Sequence, residues 1–331
     1  MKIFVTGATG YIGQKLTTRL LNQGHEIHAL CRTVPEGDLF HNPHIKIHKG
    51  DLSSVSAIAN ASAGCEQVYH LAGYARVWAK DVKTFFEVNV QGTVNVLEAS
   101  LKAGVKKVVI TSTGGTYGTG EGQLINETTT ARQGFFTDYE TSKFMAEEKV
   151  HRYIHKGLPV VIVNPARVYG PGTLTESNAL SFLIKSYVTG DWHIIPGNGN
   201  TISSFTYIDN VIDGHLLAME KGVSGERYIL GGINTDFNTF FSVLGKLSGK
   251  DYLLFRIPLP FMLLYAYKEE VSARIFKSQP VITPQWVRKF TCDAPFSSEK
   301  AITNLGYNIT TLEEGISRTL AWLQQDMKIY Y

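Results

Sequence analysis

The sequence predicts an α/β protein in which a doubly wound parallel sheet is followed by a smaller C-terminal domain. Two observations support this prediction. Short apolar runs alternate with helical patterns through the first half of the 331-residue chain. After Asn164 this alternation gives way to a stretch rich in Gly, Pro, Asn and Ser. Strands that alternate with helices form a parallel sheet covered by helices on both faces.

The predicted elements follow one another in a regular order. Strands are expected at 2–6, 26–31, 45–48, 67–71, 107–112 and 159–164, and the main helices at 11–23, 55–63, 82–103 and 139–155. Connections between parallel strands are almost always right-handed. The topology expected from this order is therefore of the Rossmann type.

The chain divides into two predicted domains. Residues 1–164 form a nucleotide-binding domain, and 205–232, with a helix and a strand, return to its sheet. Residues 165–204 and 233–331 are expected to build a cap. Within the cap, the apolar stretch 253–267 is interrupted by Arg256 and two prolines. We interpret it as a buried or surface-lying element that either shapes an apolar pocket wall or packs the cap against the first domain.

Composition excludes several classes of protein. Hydrophobic residues make up 44% and charged residues 18%, which is typical of a globular protein. The 32 basic and 29 acidic residues are spread along the chain, so a nucleic-acid partner is not expected. Three separated cysteines predict neither a disulfide framework nor a metal site. With no signal-peptide pattern and no membrane-spanning run, we expect a cytoplasmic protein.

A glycine-rich turn joins the first predicted strand to the first helix. Gly7 permits a tight turn, Gly10 lets the backbone approach a pyrophosphate, and Gly13 lets the helix pack against the strand. The helix N-terminus then presents unpaired N–H groups to the anion. The predicted cofactor contacts in this turn are Gly7, Thr9, Gly10, Tyr11, Ile12 and Gly13.

Arg32 follows the second strand, where an NAD-binding protein usually has an acidic residue for the ribose 2′-hydroxyl. A guanidinium can instead form a forked, charge-assisted contact with a 2′-phosphate. The sequence therefore favours NADP, with NAD possible. Asp51 and Leu52, after the third strand, are predicted to lie near the adenine.

Tyr139 and Lys143 form a Tyr-x-x-x-Lys motif inside a predicted helix, so both side chains share one helix face. The ammonium is expected to lower the pKa of the phenol, which then acts as a general acid or base. Ser112 and Thr113, at the end of the fifth strand, point to opposite faces, and one hydroxyl is expected to hold the substrate oxygen. Asn89 is a candidate to anchor a proton-relay water.

The motifs occur in the order expected of an extended short-chain dehydrogenase/reductase of the NAD-dependent epimerase/dehydratase superfamily. The chain resembles the branch of dihydroflavonol 4-reductases, 3β-hydroxysteroid dehydrogenases and farnesol-dehydrogenase-like reductases over essentially its whole length. The motifs that carry this resemblance are TGATGYIG, YHLAG, VNVQGTVNVLEAS, TSTGGTYG, YETSK, NPARVYGPG and FTYIDNV.

The resemblance implies roles for individual residues. Tyr139 and Lys143 match the catalytic pair, which also contacts the cofactor, and Thr113 matches the catalytic hydroxyl, counted back from Tyr117-Gly118. It also implies that the C-terminal domain binds substrate and that the chain forms a homodimer through helices near 82–103 and 137–156. Further cofactor contacts are implied at Leu71, Ala72, Gly73, Pro165, Ala166 and Val168.

Two functions compete on this scaffold. The first is a reductase or dehydrogenase that interconverts a carbonyl and an alcohol on a largely apolar small molecule, in a pocket with candidate aromatics such as Trp78 and Phe85. The alternative is a nucleotide-sugar epimerase or dehydratase. Sugar-nucleotide enzymes of the family usually place an arginine where this chain has Ser203 and Ser204. Because a diphosphate needs strong cationic partners, the sequence favours the first function.

Overall fold

A seven-stranded parallel sheet forms the centre of the computed structural model, which describes residues 1–120, 122–131, 134–174 and 178–329. Its strand order is β10-β6-β5-β4-β1-β2-β3. A three-stranded sheet, β11-β9-β7, and a two-stranded one, β12-β8, lie outside it. The strands are β1 (Lys2–Thr6), β2 (Glu26–Cys31), β3 (Ile45–Lys49), β4 (Gln67–His70), β5 (Lys107–Thr111), β6 (Val160–Pro165), β7 (Arg167–Tyr169), β8 (Ile194–Pro196), β9 (Ile202–Tyr207), β10 (Arg227–Leu230), β11 (Ile233–Asp236) and β12 (Phe255–Ile257).

Helices cover both faces of the central sheet and build the cap. They are α1 (Tyr11–Asn22), α2 (Val55–Ser62), α3 (Lys83–Phe86), α4 (Gly92–Lys102), α5 (Asp138–His155), α6 (Ala179–Val188), α7 (Ile208–Lys221), α8 (Phe237–Ser248), α9 (Leu259–Phe276), α10 (Pro284–Phe290), α11 (Glu299–Leu305) and α12 (Leu312–Gln325). The predicted α/β architecture with a Rossmann-type parallel sheet is confirmed.

The core has two layers because successive strand residues point to opposite faces of the sheet. In β1, Ile3 and Val5 pack with α1 and α7, whereas Phe4 packs with α2, α4 and α5. All three side chains are fully buried. A strand buried on both faces is continuously apolar rather than alternating, which explains the runs in the sequence.

The helix predicted over 82–103 is not a regular α-helix. α3 and α4 are joined by one π-helical segment, Glu87–Gln91, which the 3.6-residue period could not reveal. Single π-turns inside helices often occur at functional sites. This turn holds Asn89, whose side chain is buried.

The returning segment joins the main sheet through α7 and β10. β9, which includes residues 205–207, pairs instead with β7 and β11. Ser203 and Ser204 lie in β9 and are buried. The central sheet and the cap sheet therefore meet next to residues 165–169, directly after β6.

The apolar stretch 253–267 forms β12 and the first half of α9 on the molecular surface. Most of its large side chains are exposed, among them Leu253, Phe255, Phe261 and Leu264. These side chains therefore neither form a pocket wall nor pack the cap against the first domain. Of α9 only Ala266 and Ala273 are buried. None of the helices in the described part of the chain has the length and apolar character needed to cross a membrane.

Candidate active site

The carboxyl ends of β1 to β6 bring the predicted site residues together at one edge of the central sheet. Parallel strands end at the same edge, and the strand order reverses beside β1, where open α/β sheets bind ligands. The glycine turn follows β1 and Arg32 follows β2. Asp51 and Leu52 follow β3, and Leu71, Ala72 and Gly73 follow β4. Pro165 ends β6, and Ala166 and Val168 lie just beyond it.

The glycine turn has the backbone geometry that a dinucleotide requires. Gly7 has φ of 73°, and a Cβ there would lie 2.6 Å from the backbone nitrogen of Ala72. A Cβ on Gly13 would collide with the carbonyl oxygen of Gly7. Gly10 is the N-cap of α1, which has neither a side-chain cap nor an acidic residue in its first turn. Its N-terminal N–H groups are therefore suited to a pyrophosphate, so the turn fits NAD or NADP.

Tyr11 follows directly after Gly10, but its side chain points away from the glycine turn. The ring is buried, and its hydroxyl donates to the carbonyl oxygen of Gly170, 3.1 Å away. Any contact of Tyr11 with the cofactor would therefore come from its backbone. The side chain instead attaches the loop after β7 to α1.

A hydrogen-bonded chain connects the turn to the π-helical segment. The Thr6 hydroxyl lies 2.7 Å from Nδ1 of His70, and Nε2 of His70 lies 2.9 Å from the hydroxyl of Thr93. Thr93 in turn donates to the carbonyl oxygen of Asn89. Burial, together with the charge of Lys143, lowers the pKa of His70 to about 3, so the ring is neutral. His70 is thus a hydrogen-bonded core residue that fixes the loop beside the cofactor site.

Asn89 connects this loop to the catalytic helix. Its Oδ1 accepts from the backbone N–H of Tyr74 at 2.7 Å, and its Nδ2 donates to the hydroxyl of Ser142 at 2.8 Å. A Cβ on Gly73 would lie 3.1 Å from the same Oδ1. Both ends of the Asn89 amide are therefore engaged. A role in a proton relay stays a prediction.

The three residues predicted around the adenosine differ in their exposure and in their hydrogen bonds. Arg32 is exposed and makes no hydrogen bond or ion pair with the described part of the chain. Oδ1 of Asp51 accepts from the backbone and hydroxyl of Ser53 and from the hydroxyl of Ser54, and these bonds lower the pKa of its carboxyl. Leu52 is buried against Gly92. The Arg32 guanidinium is thus without a partner in the described part of the chain, and its contact with a 2′-phosphate stays a prediction.

Tyr139 and Lys143 lie on one face of α5 near the end of β5. The ammonium of Lys143 donates to the carbonyl oxygen of Thr111 at 2.8 Å, and burial lowers its pKa to about 8. Burial and the charge of Glu140 raise the pKa of Tyr139 to about 12, against the lowering effect of a hydrogen bond with Thr113. The expected lowering of the phenol pKa by Lys143 is therefore wrong for this structure. The phenol is protonated at neutral pH, as a general acid must be.

Thr113 and Ser112 differ as the sequence alternation predicts. The Thr113 hydroxyl lies beside the Tyr139 phenol and accepts from the N–H of Gly115 at 3.2 Å. The Ser112 hydroxyl is buried and has no hydrogen-bond partner among the residues the structure describes. Of the two hydroxyls, that of Thr113 therefore lies beside the Tyr139 phenol, and its catalytic role stays a prediction.

A buried ion cluster joins the cap to the start of α5. Oε2 of Glu140 completes a capping box with Thr137, and Oε1 lies 2.6 Å from the ammonium of Lys289 in α10. Glu140 is 3% exposed. The guanidinium of Arg167, which interacts electrostatically with Glu140, lies over the ring of Phe290 at 4.5 Å. The carboxylate next to the catalytic tyrosine is thus compensated by a cation from the cap.

A cavity of about 130 Å³ opens beside Tyr139. The loop before α3 supplies an apolar wall and Arg76, the start of α5 supplies Thr137 and Asp138, and the cap supplies further polar groups from α9 and the region of α10. Two of these, Glu270 and Arg274, pair with each other at 2.7 Å. The apolar wall consists of Val77, Trp78, Ala79, Val82 and Phe85.

Sequence reasoning missed the contributions of the cap to this site. The Thr137-x-x-Glu140 capping box is readable in the sequence, and it marks the N-terminus of α5. Nothing in the sequence indicates that Lys289 pairs with Glu140, or that Glu270 and Arg274 line the cavity. These contacts depend on how the cap packs, which no local pattern encodes.

A dinucleotide cradle beside a Tyr/Lys pair defines an NAD(P)-dependent oxidoreductase of the extended short-chain dehydrogenase/reductase class. The chain belongs to the NAD dependent epimerase/dehydratase family, whose model matches residues 3–231. The match spans the whole central sheet, including β10. The family therefore accounts for the fold and for the nicotinamide cofactor.

Curated relatives cover nearly the whole chain. The chain is 29% identical to a putative dihydroflavonol 4-reductase of Synechocystis sp., over 97% of this chain and 94% of that protein. It is 29% identical to sterol demethylase protein B of Methylococcus capsulatus, with 98% and 99% covered. It is 27% identical to the human decarboxylating sterol-4-alpha-carboxylate 3-dehydrogenase, with 96% and 86% covered.

Solved structures share the fold. The crystal structure of gox2253 has a TM-score of 0.82 and 30% identity, and 99% of each chain is covered. UDP-glucuronic acid 4-epimerase from Bacillus cereus, in complex with UDP-glucuronic acid and NAD, has a TM-score of 0.78 and 26% identity, with 98% of this chain and 99% of that one covered. The structural likeness therefore extends over both domains.

We expect Thr113→Ala to lower kcat by roughly 100-fold, because it removes a hydroxyl that holds the reacting oxygen. Thr113→Ser should retain most of the activity, and Ser112→Ala should stay near wild type because its hydroxyl makes no bond. Steady-state kinetics of the three variants checks this. A greater loss at Ser112 than at Thr113 would show that the wrong hydroxyl is assigned.

The Glu140–Lys289 pair should set the pH dependence of Tyr139. Removing the negative charge favours the phenolate, so Glu140→Gln/Lys289→Met should shift the rising limb of the pH profile for alcohol oxidation to lower pH, on the order of one unit. Lys289→Met alone should shift it to higher pH. Glu148→Gln, an exposed carboxylate on the same helix, is the control. Equal profiles for all variants would contradict this role of the pair.

Proposed function

We propose that this enzyme interconverts a carbonyl and an alcohol on a largely apolar small molecule, with NADP preferred over NAD. The observation that carries this proposal is the cavity beside Tyr139, one wall of which is apolar. An apolar wall is the kind of surface against which the apolar part of a ligand packs. Thr113 and Tyr139 supply polar groups at the reacting oxygen.

The position of Ser203 and Ser204 supports the same conclusion. Both are buried in β9, and the Ser204 hydroxyl accepts from the N–H of Gly232 at 2.9 Å. Neither offers a cation for the diphosphate of a nucleotide sugar. The names of the curated relatives, which include a dihydroflavonol reductase and sterol dehydrogenases, agree with an apolar carbonyl or alcohol.

Each residue of the proposed site has a different role in the reaction. The nicotinamide, when bound, supplies or accepts the hydride. Tyr139 donates its phenolic proton to the substrate oxygen in reduction and takes it back in oxidation, while Thr113 orients that oxygen. The ammonium of Lys143, whose pKa is about 8, remains charged at neutral pH. This ammonium lies on the same helix face as Tyr139 and donates to the carbonyl oxygen of Thr111.

Arg32 supports the preference for NADP. It stands exposed after β2, at the position where the ribose 2′-substituent is recognised in Rossmann folds. A planar guanidinium matches phosphate geometry with two parallel hydrogen bonds. A neutral 2′-hydroxyl gains no such charge-assisted pair.

A panel of medium-chain, aromatic and sterol-like carbonyls and alcohols, assayed with each nicotinamide cofactor by absorbance, tests the reaction. Tyr139→Phe should lower kcat by roughly 100- to 10,000-fold because it removes only the proton donor. Cofactor affinity should change little. Tyr153→Phe, which removes a hydroxyl from the same helix away from the cavity, is the matched control.

Two outcomes would overturn the proposal. One is a Tyr139→Phe enzyme that keeps more than half the wild-type rate. The other is micromolar binding of a UDP- or GDP-sugar with epimer formation and no turnover of any carbonyl tested. The second outcome would assign the epimerase alternative.

Arg32→Ala should weaken NADPH binding by roughly 1.5 to 3 kcal/mol, the cost of a hydrogen bond to a charged group, and leave NADH binding nearly unchanged. Isothermal titration with both cofactors measures this. Arg152→Ala, an exposed arginine on α5, is the control. Equal wild-type affinities for the two cofactors would refute the preference for NADP.

A further inference from the structure

α9 exposes most of its large apolar side chains. Phe261 is 65% exposed, Leu264 69%, Ile275 67% and Phe276 75%, whereas Ala266 and Ala273 alone are buried. A surface helix normally turns its apolar stripe toward the core. Contiguous exposed apolar patches mark contact surfaces. Side chains that are exposed in this way do not stabilise the folded monomer, so we looked for a surface that they could contact.

The exposed side chains form one stripe along the helix. They recur at spacings of three and four residues, which places them on the same face, opposite Ala266 and Ala273. The strand before the helix adds Phe255, which is 60% exposed. We call this surface the α9 face; it consists of Phe255, Phe261, Leu264, Tyr265, Lys268, Val271, Ile275 and Phe276.

The basic side chains around the α9 face are more exposed than the acidic ones, of which Glu269 hydrogen-bonds with Tyr265 on the face itself. Lys268 lies within the stripe and Lys277 follows the end of the helix, and both are exposed. The carboxylates of the helix are less exposed: Glu270 pairs with Arg274, and Glu269 lies 3.5 Å from the N–H of Val281. The outward surface is therefore apolar and basic.

We propose that the α9 face docks on the surface of an anionic lipid bilayer. Its aromatic and aliphatic side chains would enter the boundary between headgroups and acyl chains, with Lys268 and Lys277 at the phosphates. Long basic side chains keep their charge in water while their stems lie along apolar surface. Since α9, with four charged residues, is too polar to span a bilayer, it would lie in the interface plane.

A second copy of the chain fits the α9 face less well. A two-fold interface places the same surface on both subunits, so Lys268 of each copy would face the basic, apolar stripe of the other. Burying like charges without a partner is unfavourable. Anionic headgroups supply the opposite charge.

The docked helix would also form part of the substrate cavity. Glu270, which is partly buried, and Arg274, whose side chain is 72% exposed, line the cavity beside Tyr139. A lipid-dissolved substrate would then reach the reacting group past the same helix. This last step rests on the proposed function, whereas the docking itself does not.

Co-sedimentation of the intact protein with vesicles tests the docking without substrate or turnover. We expect binding to vesicles of phosphatidylglycerol and phosphatidylcholine in equal parts, weakened by high salt and by omission of phosphatidylglycerol. Leu264→Ser/Ile275→Ser should weaken binding at least tenfold, and Lys268→Glu should remove the preference for phosphatidylglycerol. Val223→Ser/Ile302→Ser, at exposed apolar positions elsewhere, is the matched control.

Circular dichroism melting and sedimentation velocity complete the test. Because Leu264 and Ile275 are exposed, their replacement should leave the melting temperature unchanged. The absence of vesicle binding by a folded wild-type protein would overturn the proposal. So would equal binding to both vesicle types, or a vesicle-free dimer that Leu264→Ser/Ile275→Ser dissociates. Failure of carbonyl turnover with vesicle binding intact would count against the proposed function alone.

Discussion

The hydrogen-bonded chain from Thr6 to Asn89 connects the two halves of the active site. It requires one tautomer of His70: Thr6 donates to Nδ1, and the protonated Nε2 donates to Thr93. The Thr6 hydroxyl also accepts from the N–H of Ala72, so none of these buried groups lacks a partner. Such a fully satisfied network specifies one arrangement of the backbone. The cofactor turn and the catalytic helix are thereby fixed relative to each other.

The same site concentrates charge in a region with little water. Lys143, Glu140 and Glu147 are all buried on one helix, and each has a different partner. Glu147 pairs with Arg227 at 2.9 Å and accepts from Asn164 at 2.9 Å. A buried carboxylate without a partner would cost several kcal/mol. The catalytic helix is therefore stable only with residues contributed by β10 and the cap.

The sequence predicted the parts of the fold that local patterns encode. The ends of β1 to β6 were predicted within one residue, because apolar runs and glycine turns mark them. The π-turn around Asn89 escaped prediction, since one extra residue in a helix changes no local propensity. The sequence left open whether the stretch 253–267 is buried or lies on the surface, because an apolar segment looks the same in sequence in both places. The Lys289 contact depends on tertiary packing over a long sequence separation.

The pairing of Glu140 with Lys289 has a consequence for synthesis on the ribosome. The strands and helices up to α5 emerge first, whereas Lys289 follows roughly 150 residues later, which takes about 10 to 30 s at ordinary elongation rates. During that interval the nascent Rossmann half carries a carboxylate at the start of α5 with no cation from the cap. The capping box between Thr137 and Glu140 involves no cap residue, so α5 can begin at the same residue before α10 is made. A chain that ends before α10 would nevertheless lack the ammonium that pairs with this carboxylate beside Tyr139.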